Sequence, residues 1–346
     1  MNHLALPLKY RPKRLSDIVG QDQTVTALTQ AILKDRVRQG YIFSGIKGSG
    51  KTSTARVLAK SLNCLETEGP SVEPCMKCRS CKAVQTGDDI SVIEIDGATH
   101  NKVDNARKLI EEVGFYGMHG RFKIYIIDEV QMLTKPAFNA LLKTIEEPPS
   151  HVKFILCTTD LGAIPATVQS RCQLYRFYPI KDKAIAAHLD CVLAAEGVAA
   201  EDGVTLELAK MVGGSLRDAI TLLDQVINIA SDTLTLSAVQ NFYGKPKRSH
   251  VAAVLTALSS GNAAKTSAAM SKLTRRGFSE YYIVTTVVQS LQEMIPNRLN
   301  EPEKLEVLLD ILLELEALSR VVRASDIPGA VFEASLLKIA LSRREK

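Results

Sequence analysis

Gly45-Ile46-Lys47-Gly48-Ser49-Gly50-Lys51-Thr52 is the stretch whose reading decides the fold. It has the spacing GxxxxGK[ST], follows the apolar run Tyr41-Ile42-Phe43-Ser44 and opens the periodic segment Thr52–Leu62. Strand, glycine turn and helix in that order are what such a loop requires, because backbone N–H groups at a helix N-terminus must converge on phosphate oxygens. The glycines let the backbone approach closely. Lys51 would reach the β- and γ-phosphates, and Thr52 would ligate Mg²⁺. Gly45, Gly48, Ser49, Gly50, Lys51, Thr52 and the adjoining Ser53 are the candidate nucleotide-binding residues.

Short apolar runs at Tyr41–Ser44, Ser91–Ile95, Phe122–Ile127, Val152–Cys157 and Leu174–Tyr178 alternate with helical patterns at Thr52–Leu62, Val103–Val113 and Lys135–Ile145. This alternation predicts an α/β domain with a mostly parallel sheet over residues 1–180. After Pro179 the sequence turns rich in Ala, Leu, Val and charge, which predicts a small helical domain over 181–243. The Gly244-Lys245-Pro246 break separates it from a helical C-terminal domain over 244–346. There Leu305, Leu308, Leu309, Leu312 and Leu315 form a stripe that Val307, Ile311 and Leu318 widen. A helix this broadly apolar is expected to be buried on more than one side, as a central core helix or an oligomer interface.

The chain has 346 residues, too many for one hydrophobic core, and 46% of them are hydrophobic and 23% charged, which excludes wholesale disorder. A formal charge of +5 permits an anionic partner without demanding one. The absence of Trp and an aromatic content of 5% argue against a surface built on base stacking. No apolar run reaches the roughly 18 residues of a membrane span, and no secretory core precedes the domain, so the cytoplasm is the expected compartment. Seven cysteines, with three packed into Cys75–Cys81, read as metal ligands plus spare thiols rather than disulfides.

Lys123-Ile124-Tyr125-Ile126-Ile127-Asp128-Glu129 is an apolar strand that ends in two carboxylates. By itself such a pair is a solvated loop. Downstream of a phosphate loop, Asp128 is placed to hold Mg²⁺ and Glu129 to polarise an attacking water. Thr158-Thr159-Asp160 closes the next strand with hydroxyls that could meet the γ-phosphate. Arg171, in Ser170-Arg171-Cys172, and Arg217, just after Gly213-Gly214-Ser215, are cations that could meet phosphate charge. Cys64, Cys75, Cys78 and Cys81 supply four thiols for a closed tetrahedral site, which points to structural zinc, with an Fe–S cluster as the competitor. Cys157 and Cys191 read as buried apolar thiols.

Together these elements resemble the gamma/tau subunits of bacterial DNA polymerase III clamp loaders, members of the AAA+ class of ATPases. The resemblance runs from about Leu6 to Gln225. It rests on Lys9-Tyr10-Arg11-Pro12 with Asp17-Ile18-Val19-Gly20-Gln21, the phosphate loop and Ile127-Asp128-Glu129-Val130-Gln131-Met132-Leu133. Asn139 through Pro149, Ser170-Arg171-Cys172, Gly214 through Asp218 and the cysteine insertion at 64–81 complete it. The family implies ATP, Mg²⁺ and Zn²⁺ as cofactors, with Arg11, Pro12, Ile18 and Val19 bordering the adenine and ribose. It implies Thr159, or else Thr158, as the γ-phosphate sensor, Arg217 on the ATP of its own subunit and Arg171 acting in trans on the neighbour's. Residues 181–243 would be the lid and 244–346 the collar of a pentameric ring with delta, delta-prime and further copies of the chain. Such a ring opens a sliding clamp and places it on primed DNA. Lys102, within Thr99-His100-Asn101-Lys102, and Lys143 are the lysines expected near DNA. Family members continue past this length, and nothing is predicted about activities tied to their extensions. A non-hydrolysing delta-prime-like subunit would have a damaged phosphate loop, whereas Gly45–Thr52 is intact. A Holliday-junction helicase accounts for neither Glu146-Glu147-Pro148-Pro149 nor the cysteine insertion.

Overall fold

The structure, a computed structural model, describes residues 4–99, 120–229, 233–244, 246, 248–325 and 328–342. It divides into two compact units, Met1–Asn228 and Ile229–Lys346.

The first unit is built on five parallel strands: β1 (Gly40–Gly45), β2 (Val92–Asp96), β3 (Lys123–Asp128), β4 (Val152–Thr158) and β5 (Gln173–Phe177), in the spatial order β2-β3-β4-β1-β5. All four pairings are parallel, with Ile42 level with both Leu156 and Leu174. The inner strands are apolar on both faces because helices cover both. Alternate residues then sort into two cores, as a period of two requires. Phe43, Ile124, Ile126 and Ile155 pack with Leu58 and Leu62 on one face. Ile42, Tyr125, Ile127, Phe154 and Leu156 pack with Phe138, Leu141 and Ile145 on the other. Each of the five sequence-predicted strands is present, displaced by a residue at most at either end.

Helices of this unit are α1 (Leu6–Lys9), α2 (Asp22–Leu33), α3 (Lys51–Asn63), α4 (Arg79–Thr86), α5 (Lys135–Glu146), α6 (Ala166–Gln169), α7 (Asp182–Glu196), α8 (Val204–Lys210) and α9 (Leu216–Ile227). Thr134 caps α5 by accepting from the Ala137 N–H, and Ser215 caps α9 by accepting from Asp218. The expected helix Val103–Val113 and Lys102 lie outside the described residues.

The second unit is helical: α10 (Leu236–Phe242), α11 (Arg248–Ser259), α12 (Ala263–Thr274), α13 (Glu280–Met294), α14 (Pro302–Ala324) and α15 (Pro328–Ser342). Its core gathers Leu308, Ile311, Leu315, Leu318 and Val322 of α14 against Leu291, Phe332, Leu336 and Ile339. These spacings of three and four mark one face of a helix. Here the sequence reading needs correction. Leu309 is 39% exposed and Leu313 63% exposed, so within one chain α14 buries a single stripe and not two sides. Leu309 lies about 100° around the helix from Leu308, enough to carry it out of the core.

Candidate functional site

The strand order places β1 between β4 and β5, so the loop after β1 emerges beside the C-terminal ends of its neighbours, where open parallel sheets bind ligands. Gly50, at φ +103, turns the chain into α3. Lys51 Nζ donates to the carbonyls of Gly45 (2.8 Å) and Ile46 (2.9 Å), folded back over the loop. Lys51 as a whole is 5% exposed. Burial lowers its pKa, and the Glu129 and Asp128 carboxylates partly oppose that shift. A partly desolvated cation within the loop is prepared for phosphate charge. The Thr52 hydroxyl donates to Asp128 Oδ2 at 2.6 Å, bringing together two oxygen donors of the type a hard cation takes.

Glu129 sits in the left-handed region at φ 46. Its carboxylate accepts from Gln131 Nε2 at 2.5 Å, and the same amide donates to Thr159 Oγ1 at 2.9 Å. Thr158 is fully buried, and its hydroxyl lies 2.8 Å from both Gln131 Oε1 and the Asp160 carbonyl, the two acceptors open to its one proton. Thr159 is exposed, with its hydroxyl 3.5 Å from Glu129 Oε2. Gln131 thus links the end of β4 to the second carboxylate. Sequence reasoning quoted this residue without giving it a role, and its position two residues after Glu129 was the available signal.

A cavity of about 370 Å³ opens beside the loop. Arg11, Pro12, Ile18, Val19, Gly48, Ser49, Gly50, Lys51, Thr52, Ser53, Asp128, Glu129 and Arg217 all line it, while Gly45 and Thr159 do not. Leu8, Tyr10, Ile180, Leu216, Ile220 and Thr221 also line it and were missed by the sequence reading. Leu216 and Ile220, four apart on α9, present one apolar face to it. Burial lowers the pKa of Arg11, and the cations Arg56 and Arg217 add to the effect.

Helix α9 rests on the loop itself. The N–H groups of Leu216 and Arg217 donate to the Gly48 carbonyl at 3.1 and 3.5 Å. Gly48 has φ +76, and a Cβ there would lie 1.9 Å from Ser215 Oγ, so only glycine fits. Buried Gln21 donates to the carbonyls of Ser49 (3.3 Å) and Tyr178 (2.8 Å) and accepts from the Tyr178 N–H, fastening the loop to the chain beyond β5. At the N-terminus Lys9 Nζ (2.7 Å) and Tyr10 OH (2.5 Å) both donate to Glu196, and the Leu6 N–H donates to Asp224. The segment that borders the cavity is thereby tied to α7 and α9.

Arg171 is elsewhere. It precedes β5, whose first residue pairs with Tyr41 at the start of β1, whereas the phosphate loop begins at Gly45, level with Phe177. Four strand steps, roughly 13 Å, separate Gln173 from that level, and Arg171 lies two residues before Gln173, so Arg171 lies toward the opposite end of the strands from its own loop. Its side chain is 47% exposed, with the guanidinium 3.5 Å from Glu146 and 3.1 Å from the Thr167 carbonyl. Lys143 is an exposed side chain on α5.

The sulfurs of Cys64, Cys75, Cys78 and Cys81 lie within 4.8 Å of one another, with Cys75 and Cys81 at 4.0 Å. Tetrahedral ligands each about 2.3 Å from zinc stand roughly 3.8 Å apart, so the donor set and its dimensions fit that ion. Backbone N–H groups of Lys77 and Cys78 point at Cys75 Sγ (3.3 and 3.2 Å), and that of Cys81 points at Cys78 Sγ. Burial raises the Cys75 thiol, but the N–H groups of Cys78 and Lys77 outweigh it and bring it down to about 7. Burial pushes the Cys81 thiol up. Arg121 donates to the Cys64 carbonyl at 2.7 Å and anchors the cluster to the chain that enters β3. Cys157 is buried as expected, but Cys191 is exposed on α7, because it faces away from Leu189, Val192 and Leu193. Cys172 is buried against Gly40, and burial raises its thiol to about 11.

Parallel sheet, phosphate loop and helical lid define the class: this is an AAA+ fold. The Thermotoga maritima RuvB Holliday junction branch migration motor shares the fold at a TM-score of 0.51 and 18% identity, over 71% of this chain and 79% of that one. Residues 20–181 match the model described as DNA polymerase III, delta subunit, and 184–232 match the DNA polymerase III clamp loader subunit, ATPase lid domain. DNA polymerase III subunit tau/gamma of Haemophilus influenzae is 42% identical over 76% of this chain and 38% of its own. DNA polymerase III subunit gamma of Buchnera aphidicola subsp. Baizongia pistaciae is 41% identical over 75% of this chain and 69% of its own. The chain belongs to the gamma/tau family of DNA polymerase III subunits, and it spans well under half of the longer Haemophilus relative. Among the described residues no helix is long and apolar enough to cross a membrane.

Proposed function

We propose that this chain is an ATP-hydrolysing subunit of a clamp loader, which uses ATP to open a sliding clamp and load it on primed DNA. The observation that carries the reading is the convergence of Lys51, the Thr52–Asp128 pair, Glu129 and the lid residue Arg217 on one cavity. Lys51 and the N–H groups of Gly48 through Ser53 bind the phosphates, while Arg11, Pro12, Ile18 and Val19 border the base and ribose. Thr52 and Asp128 hold Mg²⁺, which supplies charge neutralisation at the phosphates. Glu129 accepts the proton of the attacking water, and its link through Gln131 to Thr159 supports that threonine as the γ-phosphate sensor. Arg217 contacts the ATP of its own subunit, supported by the seating of α9 on Gly48. Arg171 serves the neighbouring subunit, supported by its exposure and its distance from its own loop. The four cysteines hold a structural zinc, supported by a closed all-sulfur donor set.

We assign residues 1–180 to the nucleotide-binding domain with its insertion at 64–81, 181–243 to the lid and 244–346 to the collar. The collar would join delta, delta-prime and further copies of the chain in a pentameric ring in the cytoplasm, with Lys102 and Lys143 toward DNA. The test is ATP hydrolysis with clamp and primed DNA present together. Wild-type chain assembled with delta and delta-prime should be stimulated by the pair. Lys51→Ala should lose both hydrolysis and clamp loading, and loading that survives in Lys51→Ala would overturn the reading.

A further inference from the structure

One segment of the second unit is basic throughout. From Thr233 to Ser279 there are seven Lys or Arg and no Asp or Glu, more than the +5 of the whole sequence. Four of these cations, Lys265, Lys272, Arg275 and Arg276, share one face of α12 and its immediate continuation, and all four are exposed. A concave space of about 560 Å³ lies against Ala268, Ser271, Lys272, Arg275 and Arg276. None of the four makes an ion pair among the described residues. Like charges at these spacings oppose each other. The α12 dipole favours cations at the helix C-terminus, which accounts for Arg275 and Arg276, but it opposes Lys265 in the first turn.

The same unit carries the opposite face. Glu303, Glu306, Asp310 and Glu314 recur on α14 at spacings of three, four and four, and the three glutamates are exposed. Glu303, Glu306 and Glu314 make no ion pair among the described residues. Lys265 to Arg276 and Glu303 to Glu314 are each eleven residues of helix, roughly 16 Å. The two faces match in length and oppose in sign, and neither neutralises the other within the chain.

We infer that the basic face of α12 docks on the acidic face of α14 of a second copy of this chain. The inference rests on the proposed assembly with further copies and names the surfaces that mate. The mating surfaces differ, so the contact is head-to-tail: a joined pair keeps one free face of each sign, and the arrangement extends to a ring when the rotation closes. A single-stranded nucleic acid fits less well, because among the described residues no aromatic side chain stands on the basic face to take a base.

Sedimentation velocity of the full chain tests the contact without clamp, DNA or nucleotide, so it reads independently of clamp loading. Wild-type chain should self-associate at about 0.05 M salt and dissociate toward monomer at about 0.5 M, as screening demands. One variant carries Lys272→Glu, Arg275→Glu and Arg276→Glu, and the other carries Glu303→Lys, Glu306→Lys and Glu314→Lys. Each alone should associate on the order of 100-fold more weakly, because like charges then face each other. A one-to-one mixture should recover association, since each reversed face meets its reversed complement. Wild-type chain that stays monomeric, or variants that associate undiminished, overturns the proposal. Should either variant misfold, zero-length carbodiimide cross-linking of mixed heavy- and light-isotope wild-type chain decides. Inter-copy links from Lys265 or Lys272 to Glu303, Glu306 or Glu314 support the contact, and links only to other carboxylates refute it. Duplex DNA or an acidic peptide that protects Lys265 and Lys272 from acetylation, in wild-type chain that does not self-associate, also refutes it.

Discussion

Gly48→Ala is the perturbation that most directly reads how the lid is coupled to the phosphate loop. An alanine Cβ there would lie 1.9 Å from Ser215 Oγ, 3.0 Å from Ser215 Cβ and 3.4 Å from Arg217 Cβ, on a backbone at φ +76. The left-handed conformation costs a non-glycine residue about 1–2 kcal/mol. The clash must also lift the start of α9 off the Gly48 carbonyl, losing the two N–H donors at 3.1 and 3.5 Å, each worth about 1 kcal/mol. The seated lid should therefore weaken by about 3 kcal/mol. If Arg217 binds nucleotide only from the seated position, affinity for a fluorescent ATP analogue should fall on the order of 100-fold. Ser215→Gly removes both nearest side-chain atoms and costs a few tenths of a kcal/mol as a cap change. In that background Gly48→Ala should recover the steric part and leave the backbone strain, a coupling of about 1–3 kcal/mol. Equal losses from Gly48→Ala in both backgrounds would refute the reasoning, because the cost would then be backbone strain alone.

Cys78→Ser should abolish zinc binding by metal analysis and lower the thermal midpoint by several degrees, since a four-ligand structural site contributes on the order of 10 kcal/mol to its own module. His188 lies on α7 with a buried Nε2 that has no hydrogen-bond partner among the described residues, and burial lowers its pKa from 6.5 while Asp17 partly opposes. Below pH 6.5 the unfolded imidazole therefore takes up its proton before the folded one, so stability falls as pH drops through that window. His188→Gln should flatten this acid slope in urea midpoints, and an unchanged slope would assign it to other groups. Arg171→Ala should leave nucleotide affinity of the isolated chain unchanged while lowering hydrolysis in the assembled loader by a factor of 10³ or more. Equal hydrolysis at every interface of a mutant–wild-type mixture would remove its assignment in trans.

Much of the first unit is legible in the sequence. Strands buried on both faces read as continuous apolar runs, and the glycine loop between β1 and α3 allows few alternatives, so both survive without knowledge of tertiary partners. The cysteine cluster was legible for a different reason, because four thiols at short spacing bring one another together within a single insertion. Gln21 and Gln131 were not legible in the same way. Their roles are hydrogen bonds to residues 157 and 28 positions away, which no local pattern records. Cys191 and Leu309 were misread for one shared reason. Each sits on an amphipathic helix beside buried neighbours, and a rotation of about 100° decides which side of the surface it occupies.

The sequence by itself determined the α/β alternation, the phosphate loop and the four-thiol cluster, because each is specified by residues close together in the chain. Only the tertiary structure decided that β1 enters between β4 and β5, which brings Asp128 within 2.6 Å of Thr52, and that α9 closes on Gly48. Those contacts join segments up to 169 residues apart. Strand order, set by which apolar faces the helices cover, brings them together, and that packing is a property of the whole chain.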